Sequence, residues 1–76
     1  MKELLEVIVK ALVDVPEQVN VTETETSEAV KLELTVAQED VGKVIGKQGR
    51  IAKAIRTIVK ANAVKTNKKV YVDILQ

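Results

Sequence analysis

Residues 41–55 read VGKVIGKQGRIAKAI, and this stretch decides how the rest of the chain is interpreted. Two glycines, Gly46 and Gly49, interrupt an apolar run and enclose Lys47 and Gln48. Glycine is favoured where the backbone adopts a positive φ or passes close to another group. We therefore expect a short helix that ends at Gly46, a tight corner, and a second helix that begins at about residue 49.

The corner has the properties of an anion-binding site. The first turn of the following helix has free backbone N–H groups and the positive end of the helix dipole, and both attract phosphate. Cations surround the corner, and two aliphatic residues before it offer an apolar shelf for bases. These residues are Lys43, Lys47, Arg50, Lys53, Val44 and Ile45. The alternative is that the glycines only join two helices, because short glycine motifs are weak signals on their own.

The charge is distributed unevenly along the chain. The net charge of +1 hides three lysines against ten acidic residues in residues 1–40, and nine basic residues without one acidic residue in residues 41–72. Such asymmetry suggests that one surface binds an anion. Charges scattered by chance are the alternative, but soluble proteins usually intersperse both signs over their surface.

Apolar periodicity predicts an α-β-β-α-α-β order in a single domain over residues 1–76. The predicted helices span residues 2–14, 39–45 and 49–63; the predicted strands span 18–25, 29–36 and 70–75, and a polar turn spans 65–69. Helices packed on one face of a three-stranded sheet are the economical solution, which is an α+β fold.

The same patterns predict which side chains are buried. In the two longer helices the expected apolar faces contain Leu5, Ile8 and Leu12, and Ile51, Ile55, Ile58 and Val59. In the second strand we expect Val30, Leu32, Leu34 and Val36 to point inward. The adjacent acids Glu39 and Asp40 are expected to cap the short helix, where negative charge is favourable.

Composition excludes several classes of function. The chain has no cysteine and no histidine, so no disulfide, no thiolate metal site and no nucleophile–base pair of the usual kind is possible. We therefore expect no catalytic residue, no metal and no cofactor, and the lack of cysteine fits a reducing cytoplasm. We also expect no export signal and no membrane partner, because charges interrupt the apolar residues of the first helix and its polar face is mostly acidic.

The stretch VIGKQGRIAKAI, residues 44–55, resembles the signature of KH domains, whose G-x-x-G loop clamps the backbone of nucleic acid. The predicted order of elements resembles the bacterial type II KH arrangement. The length and the longer motif VGKVIGKQGRIAKAIRT, residues 41–57, are similar to the KhpA family of small bacterial RNA-binding proteins. Ala52 stands where KH domains usually have a large aliphatic residue, and this departure is typical of the KhpA-like group.

The resemblance implies a type II KH fold and a non-enzymatic protein that holds about four nucleotides of single-stranded RNA. It implies a small post-transcriptional regulator or RNA chaperone that pairs with itself or with a larger KH-domain protein. The residues expected to contact RNA are Lys43, Val44, Ile45, Gly46, Lys47, Gln48, Gly49, Arg50 and Lys53. The loop of residues 24–28 is expected to form the other wall of the groove, where Glu25 and Glu28 disfavour strong contact.

The sequence is compatible with two functions for Tyr71 and with two functions for the whole chain. Tyr71, the one aromatic residue, is either ordinary surface or a platform on which a base stacks. The chain as a whole is either an RNA-binding module of modest affinity or a protein-interaction module. In the second case the glycine corner is purely structural and the basic helix binds an acidic protein.

Overall fold

The structure is a computed structural model that describes residues 1–64 and 67–75. Its helices and strands are α1 (Lys2–Leu12), β1 (Asn20–Glu25), β2 (Ala29–Thr35), α2 (Val41–Ile45), α3 (Arg50–Asn62) and β3 (Lys69–Ile74). Short 3₁₀ turns span Pro16–Gln18, Gln38–Asp40 and Lys47–Gly49. The predicted α-β-β-α-α-β order and the α+β class are confirmed.

The element boundaries differ from the prediction where proline and turn geometry intervene. Pro16 opens a 3₁₀ turn, so α1 ends at Leu12 and β1 begins at Asn20. The predicted turn at residues 65–69 falls partly outside the described residues, and β3 already begins at Lys69.

The three strands form one mixed sheet with β2 in the centre. β1 runs antiparallel to β2, with Val21 opposite Leu34. β3 runs parallel to β2, with Ala29 opposite Lys69. Parallel strands need a long crossover connection, and here α2 and α3 provide it. The crossover therefore places the glycine corner between two helices that both pack on the same face of the sheet.

One face of the sheet carries the hydrophobic core. Its buried side chains come from all six helices and strands: Leu5, Val9, Val21, Val30, Leu32, Leu34, Val44, Ile55, Val59, Val70 and Val72. Val36 packs against this cluster while partly exposed. The opposite face of the sheet is polar, and there Lys31 pairs with Asp73 at 3.7 Å. None of the helices within residues 1–64 and 67–75 has the length and apolarity needed to cross a bilayer.

Two side chains predicted to be buried are exposed. Leu12 is 38% exposed and Ile58 is 47% exposed. In α1 the fully buried pair is Leu5 and Val9, one helical turn apart. In α3 the buried stripe is Ala52, Ile55 and Val59, and Ala63 continues it at the C-cap. A three-stranded sheet covers only one narrow stripe per helix, so Ile58, about 100° around the helix from Val59, faces outward.

Candidate functional site

The glycine loop joins α2 to α3 through residues with positive φ. Gly46 has φ 74° and ψ 178°, and Gly49 has φ 74° and ψ 12°. Between them Gln48 is also left-handed, at φ 59° and ψ 26°. The N–H of Gly46 donates to the carbonyl of Gly42 at 2.8 Å and closes α2. Three positive φ values within four residues turn the chain directly into the first turn of α3.

The two glycines are needed for different reasons. The backbone of Gly46 occupies a region that is essentially open only to glycine. A Cβ at Gly46 would also lie 2.5 Å from Cγ1 of Ile51. At Gly49 a Cβ would meet no heavy atom within 4 Å, so only the left-handed backbone favours glycine there. The lack of a side chain at Gly46 therefore leaves room for Ile51 inside the loop. At Gly49 it leaves the backbone uncovered on the outer surface of the loop.

The tip of the loop is exposed and basic. Lys47, Gln48 and Arg50 are exposed, and a guanidinium nitrogen of Arg50 donates to Oε1 of Gln48 at 3.4 Å. In the part of the chain that the structure describes, no acidic side chain forms an ion pair with Lys47, Arg50 or Lys53. These cations stand beside the first N–H groups of α3, where the helix dipole adds positive potential.

The two aliphatic residues expected to form a shelf for bases differ in position. Val44 is fully buried in the core, so its side chain supports the loop from below and offers no surface to a ligand. Ile45 is half-buried at the end of α2. The expectation that both side chains contact a base is therefore wrong for Val44, because one face of a five-residue helix must join the core.

Lys43 lies in α2 but is engaged elsewhere. Its ammonium pairs with the carboxylate of Asp14 and lies 3.9 Å from Oδ1 of Asp40. The hydrogen bond to Asp14 raises the pKa of Lys43 above its ordinary value of 10.5. The structure thus places Lys43 against the segment that follows α1, while the other predicted cations surround the loop.

Asp40 has a structural function that the sequence did not reveal. Its carboxylate is fully buried and accepts hydrogen bonds from the backbone N–H groups of Asp14 and Val15, at 3.1 and 3.0 Å. Asp40 stands at the N-cap position of α2, as expected, but its side chain makes no hydrogen bond to that helix. Its partners lie 25 and 26 residues away, and no local signal in the sequence identifies them.

The basic side of α3 lies along the edge of β3. Nε of Arg56 donates to the carbonyl of Val72 at 3.1 Å, which satisfies one acceptor on this edge strand. The acidic loop between β1 and β2 lies near the start of β3, where the N–H of Lys69 donates to the carbonyl of Glu28 at 3.2 Å. Because Glu25 pairs with Lys68 there, part of its negative charge is compensated within the protein.

No group of three or more acidic side chains within residues 1–64 and 67–75 gathers closely enough to hold a metal ion. The exposed features of the site are its cations and the left-handed loop that carries them. These features suit a flexible polyanion better than a small polar substrate.

Comparison with known proteins places this geometry in a family. The family model described as KhpA/KhpB, KH domain, matches residues 2–74. The chain belongs to the KhpA/KhpB family of KH domains. The KhpA family that the motif at residues 41–57 indicated is thereby confirmed.

Relatives in the KhpA/KhpB family match over nearly the whole chain. The RNA-binding protein KhpA of Clostridium perfringens is 65% identical over 75 residues, which are 99% of this chain and 100% of the relative. The protein of the same name from Caldanaerobacter subterraneus is 57% identical over the same shares of both chains. That of Listeria monocytogenes is 53% identical over 76 residues, all of both chains. A search of solved structures found no match.

Proposed function

We propose that this KhpA/KhpB-family chain binds single-stranded RNA without catalysing a reaction, and that the glycine loop is its principal contact. The observation that carries the proposal is the left-handed loop at the start of α3, which exposes Lys47 and Gln48. The names of the relatives, which refer to RNA binding and to no reaction, support the same conclusion.

The loop suits phosphate for three reasons. Gly49 has no side chain on the outer surface of the loop, so a sugar-phosphate backbone can approach the peptide groups there closely. The positive end of the α3 dipole lies beside the loop and attracts a phosphate, while the N–H groups of Gly49 and Arg50 themselves donate to the carbonyls of Gly46 and Lys47. Lys47, Arg50 and Lys53 add charge-assisted contacts, which are stronger than neutral hydrogen bonds. A clamp of this kind holds about four nucleotides.

The alternative, in which the glycine loop only joins two helices, does not account as well for the backbone conformation of Gln48. Gln48 adopts a left-handed backbone that costs a non-glycine residue roughly 1–2 kcal/mol. A corner selected for stability alone would place glycine or asparagine at this position. Strain retained at an exposed loop is typical of binding sites, so it favours RNA binding over the interaction-module alternative.

The test is the double substitution Lys47→Asp and Gln48→Asp. Aspartate tolerates the left-handed region, so the fold is expected to persist. Affinity for a short single-stranded RNA at low salt should fall at least about tenfold, because repulsion replaces attraction at the clamp. The double variant Lys2→Asp and Gln18→Asp changes the net charge equally at exposed positions away from the loop. Equal affinities of the two variants and the wild type would refute RNA clamping by the loop.

We also propose that the chain acts as a dimer, either with itself or with a larger KH-domain protein. Ile58 on α3 is 47% exposed, and a chain of 76 residues gains from burying such a side chain in a partner. Two linked sites also raise the effective concentration of the second site. If Ile58→Asp leaves the mass measured by light scattering unchanged, this residue is not in the interface. Regulation or chaperoning of RNA in the cytoplasm stays a prediction.

A further inference from the structure

A surface cavity of about 350 Å³ opens at the end of α3 opposite the glycine loop. This volume lies at the lower end of the range for small-ligand pockets. The cavity lies between the last turn of α3 and the start of β3. Its lining includes Lys60, Ala63, Val64, Lys69, Val70 and Tyr71.

The lining combines positive charge with exposed apolar surface. Val64 is 72% exposed and Tyr71 is 50% exposed, whereas Ala63 and Val70 are buried beneath them. Lys68 also lines the cavity, but its ammonium is paired with Glu25. Lys60 and Lys69 form no ion pair with an acidic side chain in the described part of the chain. Lys69 and Tyr71 alternate with the buried Val70 and Val72, so they border the cavity from the polar face of the sheet, whereas Lys60 and Val64 border it from the α3 side. Cations and an aromatic residue around an apolar floor match the two halves of a nucleotide, its phosphate and its base.

The cavity is aligned with the proposed RNA clamp. Lys60 lies ten residues after Arg50 in the same helix, which corresponds to about 15 Å along the axis. Arg56 stands between them and contacts β3 through the carbonyl of Val72. A strand that leaves the glycine loop along this side of α3 therefore encounters positive charge at each turn until it reaches the cavity.

We propose that the cavity is a second nucleotide-binding site, which extends the RNA contact beyond the glycine loop. A phosphate pairs with Lys60 and Lys69, and its base lies against Val64 and Tyr71. The proposal rests on the proposed function, because the same RNA strand occupies both sites. Lysines near a helix C-terminus also stabilise the helix dipole, so a change in stability alone does not test it.

Tyr71 provides a local reporter, since the chain contains no other aromatic residue. Titration with a ten-nucleotide oligoadenylate should quench the fluorescence of Tyr71 and shift the amide signals of Gly46 and Gly49 together. The double variant Lys60→Gln and Lys69→Gln should lose the quenching and bind the oligonucleotide about tenfold more weakly, the effect of losing one stacked nucleotide. Its loop amides should still shift.

Two control variants separate the cavity from general charge. Lys2→Gln with Lys10→Gln removes the same charge from α1 and should keep the quenching, and Lys60→Arg with Lys69→Arg should restore most of the affinity. Unchanged Tyr71 fluorescence while the loop amides shift would overturn the second site and leave the proposed function intact.

Two further outcomes are informative: one would refute both proposals, and the other would show that the ligand of the cavity is a free nucleotide and not RNA. If neither Tyr71 nor the loop amides respond to the oligonucleotide, both proposals fail. Quenching by adenosine monophosphate at lower concentration than by the oligonucleotide would assign the cavity to free nucleotides and overturn the extended RNA contact.

Discussion

The tip of the glycine loop and the base of α2 both contain a lysine, but the two lysines have different surroundings. At the tip, Lys47 and Arg50 are exposed and unopposed by acid among the described residues. At the base, four residues before Lys47 and seven before Arg50, Lys43 pairs with Asp14 and lies 3.9 Å from the buried Asp40. Lys47 and Arg50 can bind a polyanion directly, whereas Lys43 must first break its ion pair with Asp14.

This difference shows that charge counted along a sequence is not the charge available to a ligand. An ammonium that already has a carboxylate partner gains little from exchanging it for a phosphate. The base of α2 instead holds the end of α1 through Asp40, and so fixes the platform from which the loop projects. The charged side chains of the two regions should therefore respond differently to substitution: those at the base of α2 in stability and those at the tip of the loop in binding.

The largest expected effect is that of Gly46→Ala at the tip. The new methyl group meets Ile51 at 2.5 Å and the backbone must leave an essentially glycine-only region. We expect the free energy of unfolding to fall by about 3–4 kcal/mol, from strain together with overpacking. Urea denaturation followed by circular dichroism measures this change.

Gly42→Ala is the matched control for that substitution. Gly42 lies inside α2, and a Cβ there would meet nothing within 4 Å. Replacing a helical glycine with alanine should raise stability by roughly 0.5–1 kcal/mol. Equal losses of unfolding free energy in Gly42→Ala and Gly46→Ala would show that the geometry of the loop does not distinguish the two glycines.

The next effect in size is that of Asp40→Ala at the base. The substitution leaves the N–H groups of Asp14 and Val15 without their acceptor and removes a fully buried side chain. We expect a loss of about 2–3 kcal/mol in the free energy of unfolding, because unsatisfied donors each cost ~1–3 kcal/mol and these two are only partly buried. Asp40→Asn, which keeps one acceptor oxygen, should lose less unfolding free energy than Asp40→Ala.

A loss of RNA affinity in Asp40→Ala at a temperature where the protein remains fully folded would contradict the distinction between the base of α2 and the tip of the loop. It would mean that the base of α2 controls binding directly and not only through stability. Nuclear magnetic resonance of the folded variant with a short RNA distinguishes these cases.

The sequence was sufficient for the order of elements and for the loop because these depend on local signals. Alternation predicts β2, and glycines with positive φ produce the corner at Gly46 and Gly49. The outward position of Ile58 could not be predicted, because helical periodicity alone gives two overlapping apolar stripes on α3. Only the width of the sheet decides which stripe is buried.

The sequence indicates which residues lie near the glycine loop, but it does not show which of them are buried or paired elsewhere in the protein. The buried position of Val44 and the engagement of Lys43 depend on contacts with α1 and the core, which lie far away in sequence. Asp40 carries no local mark of its function, since its hydrogen bonds join segments 25 and 26 residues apart. Long-range partners of this kind cannot be read from spacing within one motif.

A smaller effect separates Lys47 from Lys43 in binding. Lys47→Ala should weaken RNA binding about threefold to tenfold and lower the slope of log affinity against log salt by ~0.7, the contribution of one phosphate on a single strand. Lys43→Ala should change affinity by less than about twofold, since an ammonium paired internally releases no counterion from RNA. Fluorescence anisotropy at several salt concentrations measures both slopes. Equal slopes for the two variants would remove the distinction between tip and base.

The smallest effect concerns the Lys43–Asp14 pair and alkaline pH. Because pairing raises the folded-state pKa of Lys43 above its ordinary value of 10.5, its contribution to stability is complete below that pH. The contribution is lost as the pH rises through the folded-state pKa. The wild type and Asp14→Asn should therefore differ by a constant free energy of unfolding up to about pH 10 and converge above it. Other lysines titrate equally in both proteins and cancel in the difference. Identical free energies of unfolding for the wild type and Asp14→Asn below about pH 10 would mean that Lys43 is not held by Asp14 in solution, and Lys43 would then be available to RNA like the cations of the loop.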